Sequence, residues 1–191
     1  MIQRWLGIHV LCLVFCILSG LSCYKAYGAE PISCGLNLPE FTMDALDPTQ
    51  ARQYLRLENP KRFSISQIPA KLVLIELFSL YCTVCQRHAP TANKLYRCIQ
   101  RDSVLCEDIK MIGIGTGNNQ REVSFYKTKF RVRFPVFPDP NFDIHKKLGE
   151  PRTPLTILAT NSGKVLMTHF GIVQDLDAFL GQIRKFHKQQ Q

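Results

Sequence analysis

Leu72-Val73-Leu74-Ile75-Glu76-Leu77-Phe78-Ser79-Leu80-Tyr81-Cys82-Thr83-Val84-Cys85-Gln86-Arg87-His88-Ala89-Pro90 decides how the chain folds. Its first part, Lys71–Phe78, is short, leucine-rich, β-branched and apolar on both faces, as a strand buried within a sheet must be. A helix is predicted from about Thr83 to Ile99, kinked before Pro90 by the missing N–H. Cys82 then stands where unpaired N–H groups and the positive end of the helix dipole stabilise a thiolate. Cys85 lies about one turn on, close enough to attack a mixed disulfide on Cys82. Half of a zinc site and a small structural disulfide are the competing readings. Zinc takes four ligands, usually from two such pairs, and no second C-x-x-C exists in the chain. The spacing favours a redox dithiol, with Cys82 as nucleophile and Cys85 as resolving thiol.

Glu76 lies six residues before Cys82 in an otherwise apolar strand, and Pro90 five after Cys85. Much later Arg152-Thr153-Pro154-Leu155-Thr156-Ile157-Leu158 places a Thr-Pro ahead of a β-rich run. At these residues the chain resembles the thioredoxin superfamily, and most closely the TlpA/ResA-like extracytoplasmic thiol-disulfide oxidoreductases of the redoxin group. The resemblance covers roughly residues 64–187. It implies an α/β fold: a three-layer α/β/α sandwich on a central mixed sheet, with a redoxin-type insertion over 119–149. It implies that Glu76 lies beneath the dithiol and accepts a proton from Cys85 as Cys85 attacks. Pro154 would be cis and face the cysteines, with the Thr153 backbone pairing to a substrate strand and Tyr81 beside the cleft. The family pattern often reads C-x-P-C with a glutamate three residues on; Val84 replaces that proline, His88 that glutamate, and Tyr81 the usual tryptophan. His88 itself reads as a surface histidine.

Arg4 precedes an uncharged run from Trp5 to Tyr24, and Ala26-Tyr27-Gly28 offers a small-x-small cleavage site. Residues 1–28 therefore read as a signal peptide, or as an uncleaved N-terminal anchor, since the run approaches spanning length. Residues 29–63 read as an extended segment with a short helix over 48–57, and 64–191 as the folded domain. Removing 1–28 discards Cys12, Cys16 and Cys23 and leaves Cys34, Cys82, Cys85, Cys98 and Cys106. In an oxidising compartment Cys98 and Cys106, eight apart across a helix end, are expected to form a structural disulfide, with Cys34 left over.

The net charge is +9, and +7 without Arg4 and Lys25. Such a balance suits nucleic acid, but a leader argues against that partner; the Lys127, Lys129, Arg131, Arg133 cluster reads as a solvated face. Gly113-Ile114-Gly115-Thr116-Gly117 imitates a dinucleotide fingerprint, but Asn118 stands where the next glycine is needed. The remaining elements predicted are strands over 110–115, 134–137, 155–159 and 165–170. Helices are predicted from an Asn119/Glu122 capping box, from Asn141 to Gly149, and over 175–187.

The function implied is thiol-disulfide exchange between Cys82-Cys85 and protein thiols or disulfides, with an upstream membrane or periplasmic electron donor and no cofactor or metal. Two alternatives stay open. A thiol peroxidase fits Ser79 three residues before Cys82 but finds Ile75 where its motif needs proline. A Cu(I) metallochaperone would add His169 to the two cysteines, which are spaced more tightly than in the related copper chaperones.

Overall fold

The computed structural model describes residues 32–45, 48–58 and 61–190. The expected leader, with Cys12, Cys16 and Cys23, lies outside them. Among the described residues no helix is long and apolar enough to cross a membrane.

The elements follow in order. β1 is Met43–Asp44, α1 Pro48–Leu55, β2 Arg62–Phe63 and β3 Leu72–Phe78. α2 is Thr83–Arg101, α3 Leu105–Asp108, β4 Ile109–Thr116 and α4 Gln120–Lys129. β5 is Val136–Asp139, α5 Asp143–Lys147, β6 Leu155–Thr160, β7 Val165–Phe170 and α6 Leu176–Lys188. A sheet in the order β5-β4-β3-β6-β7 forms the middle layer; β3, β4 and β5 are parallel, and β6 and β7 antiparallel. β3 is central and every one of its residues is buried, which explains its near-unbroken apolar run.

The alternation of β3 separates two cores. Leu72, Leu74 and Phe78 face α2, α4 and α6, where Ala89, Leu95, Tyr126, Phe179 and Ile183 pack on them. Val73, Ile75 and Leu77 face the opposite layer with Met43, Leu55, Phe63, Ile144 and Leu148. The N-terminal segment therefore lends Met43, Leu55 and Phe63 to the second core. It also bonds along β7, through Gly35 N–H to Val165 O and Val165 N–H to Leu36 O. Its proline spacing hid these contacts because β1 and β2 are only two residues each.

Several boundaries differ from the sequence reading. The strand expected over 134–137 is Val136–Asp139, and Pro138 sits inside it. β5 is an edge strand, where a proline removes no ladder bond. Asn141 does not cap the next helix. Phe142 takes the cap position in the left-handed region at φ 60°, and the Asp139 carboxylate accepts from the N–H groups of Ile144 and His145. The Asn119/Glu122 capping box forms as expected. The glycines of 113–117 make room for neighbouring side chains. A Cβ on Gly115 would come within 2.6 Å of Val123, and one on Gly117 within 2.2 Å of Phe142.

The end of α6 is tied to the sheet by a buried histidine. His187 Nε2 lies 2.7 Å from Asp108 Oδ2, and Lys71 Nζ 3.1 Å from the same oxygen. The His187 hydrogen bond, joined by Lys71, holds the Asp108 carboxyl below its ordinary value against the opposing effect of burial. A depressed carboxyl stabilises the fold above its unfolded pKa and loses that contribution as pH falls through the folded one. Asp108→Asn should lower Tm at pH 7 by about 2–4 °C, the shift roughly 1 kcal/mol makes in a domain of this size. The difference should close as pH falls below about 3.9. Thermal melts of both proteins across that range check the sign.

Candidate active site

β3 ends at Phe78, and the chain turns over Ser79–Tyr81 into Cys82, the N-cap of α2. Cys82 has extended backbone angles, and its Sγ accepts the Cys85 N–H at 3.1 Å. A sulfur thus takes the capping place usually held by a serine or aspartate oxygen. The turn is pinned from three sides. Cys82 N–H donates to Ser79 O at 3.1 Å, Gln86 Nε2 to Leu80 O at 2.8 Å, and Leu80 N–H to Asn118 Oδ1 at 2.7 Å. Asn118, fully buried, is the residue that spoiled the glycine fingerprint; its task is to hold the dithiol loop.

Across the cleft the Thr153-Pro154 bond is cis, and Cys82 Sγ lies 3.4 Å from Thr153 O. Tyr81 is 70% exposed beside the nucleophile, its hydroxyl bonded to the Glu122 carboxylate. Cys82 thus faces Thr153 across the cleft, with Cys85 one helix turn behind it and Tyr81 next to it in the chain. Tyr126 was legible only as a core residue of α4. It stacks on Phe78 at 4.1 Å and donates its hydroxyl to Cys85 O at 3.1 Å, seating the first turn of α2. Asn93 ties the same helix to the chain after α4, donating to Phe130 O at 2.9 Å and accepting from Arg133 N–H.

The two thiols differ electrostatically. Burial works against ionising Cys82. Hydrogen bonds from Cys85, Thr153 and the Val84 backbone outweigh it and hold this thiol below its ordinary value. Cys85 is 1% exposed, and burial foremost, with Cys82 beside it, pushes its thiol up to about 12. The first sulfur ionises more readily than a free thiol and the second less readily.

Glu76 lies on the α2-facing side of β3, 4% exposed. Thr156 Oγ1 donates to its Oε2 at 2.8 Å, from the position directly opposite in the β3–β6 register. His88 corrects the sequence reading: it is not on the surface but 2% exposed, with Nε2 3.0 Å from Glu76 Oε1. The N–H is not aligned on that oxygen as a directed hydrogen bond, and neither Glu76 Oε1 nor His88 Nδ1 has a hydrogen-bond partner. The signal was available in the spacing. Cys82, Cys85 and His88 are each three apart, which puts them along one face of a helix.

All five described cysteines are free thiols, Cys98 and Cys106 included. The bond expected between those two is not formed. Asp102 Oδ1 accepts from Val104 N–H and Leu105 N–H and turns the supposed loop into α3, where Cys106 Sγ donates to Ser103 O at 3.5 Å. Cys98 packs against the core, and Cys34 Sγ donates to Leu166 O at 3.1 Å. His169, the third ligand of the copper alternative, packs edge-on to Phe179 at 5.4 Å.

No family model matches the chain. Among curated proteins it is similar to the thiol-disulfide oxidoreductase ResA of Bacillus subtilis, 23% identical over 168 residues, covering 87% of this chain and 84% of that one. The ResA of Geobacillus thermodenitrificans is 22% identical over 165 residues, 85% of each. Among solved structures, a putative thiol:disulfide interchange protein DsbE from Chlorobium tepidum has a TM-score of 0.62 at 17% identity, covering 81% of this chain and 97% of that one. A putative protein disulfide isomerase from Bacteroides thetaiotaomicron has a TM-score of 0.65 at 21% identity, covering 86% and 98%. These structural likenesses establish the thioredoxin-like fold.

Alkylation of the reduced chain, mapped by mass spectrometry, should separate the two thiols. Cys82 should react with a pH midpoint below the about 8.5 of a free cysteine, whereas Cys85 should stay unmodified beyond pH 10. Equal reactivity would contradict the asymmetry.

Proposed function

We propose that this TlpA/ResA-like chain, a thiol-disulfide oxidoreductase of the thioredoxin fold, works outside the cytoplasm as a reductant of disulfides in other proteins. The observation that carries the reading is the unlike pair on one helix turn: Cys82 capping α2 with a depressed thiol, Cys85 buried behind it with a raised one. Cys82 thiolate attacks a substrate disulfide and forms a mixed disulfide, releasing one substrate thiolate. Cys85 loses its proton to the buried Glu76–His88 pair and attacks Cys82 Sγ; the Cys82–Cys85 bond forms and the second substrate thiolate leaves. Two electrons pass to the substrate, and a donor thiol pair restores the dithiol.

Thr153 and Pro154 form the wall against which a substrate strand lies, with Tyr81 exposed at its rim. Export rests on the expected leader over 1–28, which either is removed or anchors the domain of 64–191 to a membrane carrying the electron donor. The peroxidase alternative gains nothing from the site. Ile75, at the position its motif gives to proline, is a fully buried strand residue, and Cys85 stands directly behind the nucleophile.

Cys82→Ser should abolish reduction of a protein disulfide such as insulin, and Cys85→Ser should accumulate mixed disulfides through Cys82. Full turnover by Cys85→Ser would end the two-thiol mechanism. Equilibration with glutathione settles the direction: a couple more reducing than glutathione is expected, and a more oxidising one would make the chain an oxidant. Glu76→Gln should leave mixed-disulfide formation intact and slow its resolution, followed by stopped flow; an unchanged resolution rate returns Glu76 to a structural role.

A further inference from the structure

We propose that His88 is the general base of the resolving step, taking the Cys85 proton on Nδ1, and that Glu76 acts through it as a positioning residue. The inference rests on the two-thiol reading above and names the atom that receives the proton.

Three observations carry it. Glu76 and His88 are both buried and 3.0 Å apart, so the pair is shielded from bulk water. A neutral histidine facing a carboxylate through Nε2 keeps its proton there, because the other tautomer would set two lone pairs against each other. The lone pair then falls on Nδ1, the ring nitrogen without a partner in the reduced chain. Buried side-chain nitrogens are rarely left unpaired without a reason. Finally, His88 is three residues beyond Cys85 on α2. Side chains so spaced have Cβ atoms about 5–6 Å apart, and helical side chains lean towards the preceding turn. That spacing makes His88 the helix-face neighbour of Cys85. Glu76 Oε1 also lacks a hydrogen-bond partner, but the His88 ring stands 3.0 Å from it and Thr156 Oγ1 holds the other oxygen, so a proton from Cys85 meets the ring before the carboxylate. Nδ1 and the Cys85 sulfur are not hydrogen-bonded in the resting state; such contacts often close only as the reaction proceeds.

The protons balance. In the mixed disulfide, Cys85 Sγ–H passes its proton to His88 Nδ1, giving an imidazolium beside the Glu76 carboxylate. The Cys85 sulfur attacks Cys82 Sγ, the bond to the substrate sulfur breaks, and the departing thiolate takes up a proton. His88 returns to its neutral form by losing the one it gained. The titratable groups around this step are Cys82 and Cys85 on α2, Glu76 on β3 and Tyr126 on α4. His169 on β7 stands opposite Thr156 in the register. Burial raises the Tyr126 phenol far above its ordinary value, so it stays protonated throughout.

The test is single-turnover resolution of the Cys82–thionitrobenzoate mixed disulfide between pH 5 and 9, made by adding an aromatic disulfide to the reduced chain. The first thionitrobenzoate release reports Cys82, and the second reports Cys85. In the native chain the second phase should rise with pH and then level off. His88→Asn and His88→Gln should slow that phase by about 100-fold or more at neutral pH. The levelling should disappear, leaving a rate that tracks hydroxide, while the first phase changes less than about threefold. Glu76→Gln should slow the second phase less than either and keep a levelling. A retained plateau in both His88 variants with its loss in Glu76→Gln would overturn the proposal and make Glu76 the direct acceptor. Absence of any second release in the native chain would instead remove the two-thiol reading itself. The ring nitrogen chemical shifts of His88 in the native reduced chain give a test that needs no variant to fold. Protonation on Nε2 alone is expected, and a neutral ring protonated on Nδ1 would overturn the proposal.

Discussion

Cys82 Sγ closes the first turn of α2 by accepting the Cys85 N–H, and the geometry around the cleft follows from placing a reactive sulfur at a helix start. The 19-residue helix cannot slide, because Ala89, Ala92, Leu95 and Ile99 are locked into the core beneath it. The turn that feeds it cannot swing, because Asn118, Gln86 and Ser79 hold its backbone. Donors already aimed at the sulfur stabilise a thiolate without reorganising when charge develops there, which is worth more in a partly buried site than in water. A cap of this kind contributes about 1 kcal/mol to helix stability when made by oxygen. Here the same contact also biases the thiol, so stability and reactivity draw on one hydrogen bond.

Glu76 is the costly part of the design. Removing a carboxylate from water costs several kcal/mol even after the protein relaxes, and a leucine there would pack against Leu74 and Phe78 without that penalty. The carboxyl group meets two partners placed by separate elements, Thr156 through strand register and His88 through helix phase. Such a pair is weak evidence for stability and better evidence for a task. It also explains why a histidine suits position 88. With the acid already in the strand, a second carboxylate on the facing helix would bring like charges together in a dry interior.

The sequence made the dithiol, the central strand and the order of elements legible, because those depend on local pattern: an apolar run, a fixed cysteine spacing, a capping box at Asn119 that formed as read. What it hid was long-range. His88 looks like a surface residue in the sequence because its burial depends on helix phase and on Glu76, twelve positions away on the facing strand. Asn118 was noticed only as the residue that broke a glycine motif, since its partner, Leu80, lies 38 positions away. The N-terminal segment looked extended because its order comes from pairing with β7 and from lending Met43 and Phe63 to the second core. Cys98 and Cys106 look like a bonded pair because they stand eight apart across a helix end, whereas Asp102 winds the residues between them into a helical turn.

The unlike thiols and the buried pair act on different quantities, and separating them clarifies what each residue governs. A depressed Cys82 thiol stabilises the reduced state only in proportion to its ionisation at the working pH, so it adjusts the potential. Raising Cys85 to about 12 changes little in that balance near neutrality, since an ordinary buried thiol is protonated there already. Its consequence is kinetic: the resolving sulfur is almost never a thiolate unless a neighbour takes its proton. Reversing the reaction uses the same neighbour in the opposite sense, as an acid returning the proton to Cys85 when a donor opens the Cys82–Cys85 bond. In the proposed role, the Glu76–His88 pair quickens exchange in both directions without choosing between them. The choice falls to the groups that stabilise the Cys82 sulfur: the Cys85 N–H, Thr153 and Val84. Substitutions in that set should move the equilibrium, whereas substitutions beneath the dithiol should move the rates.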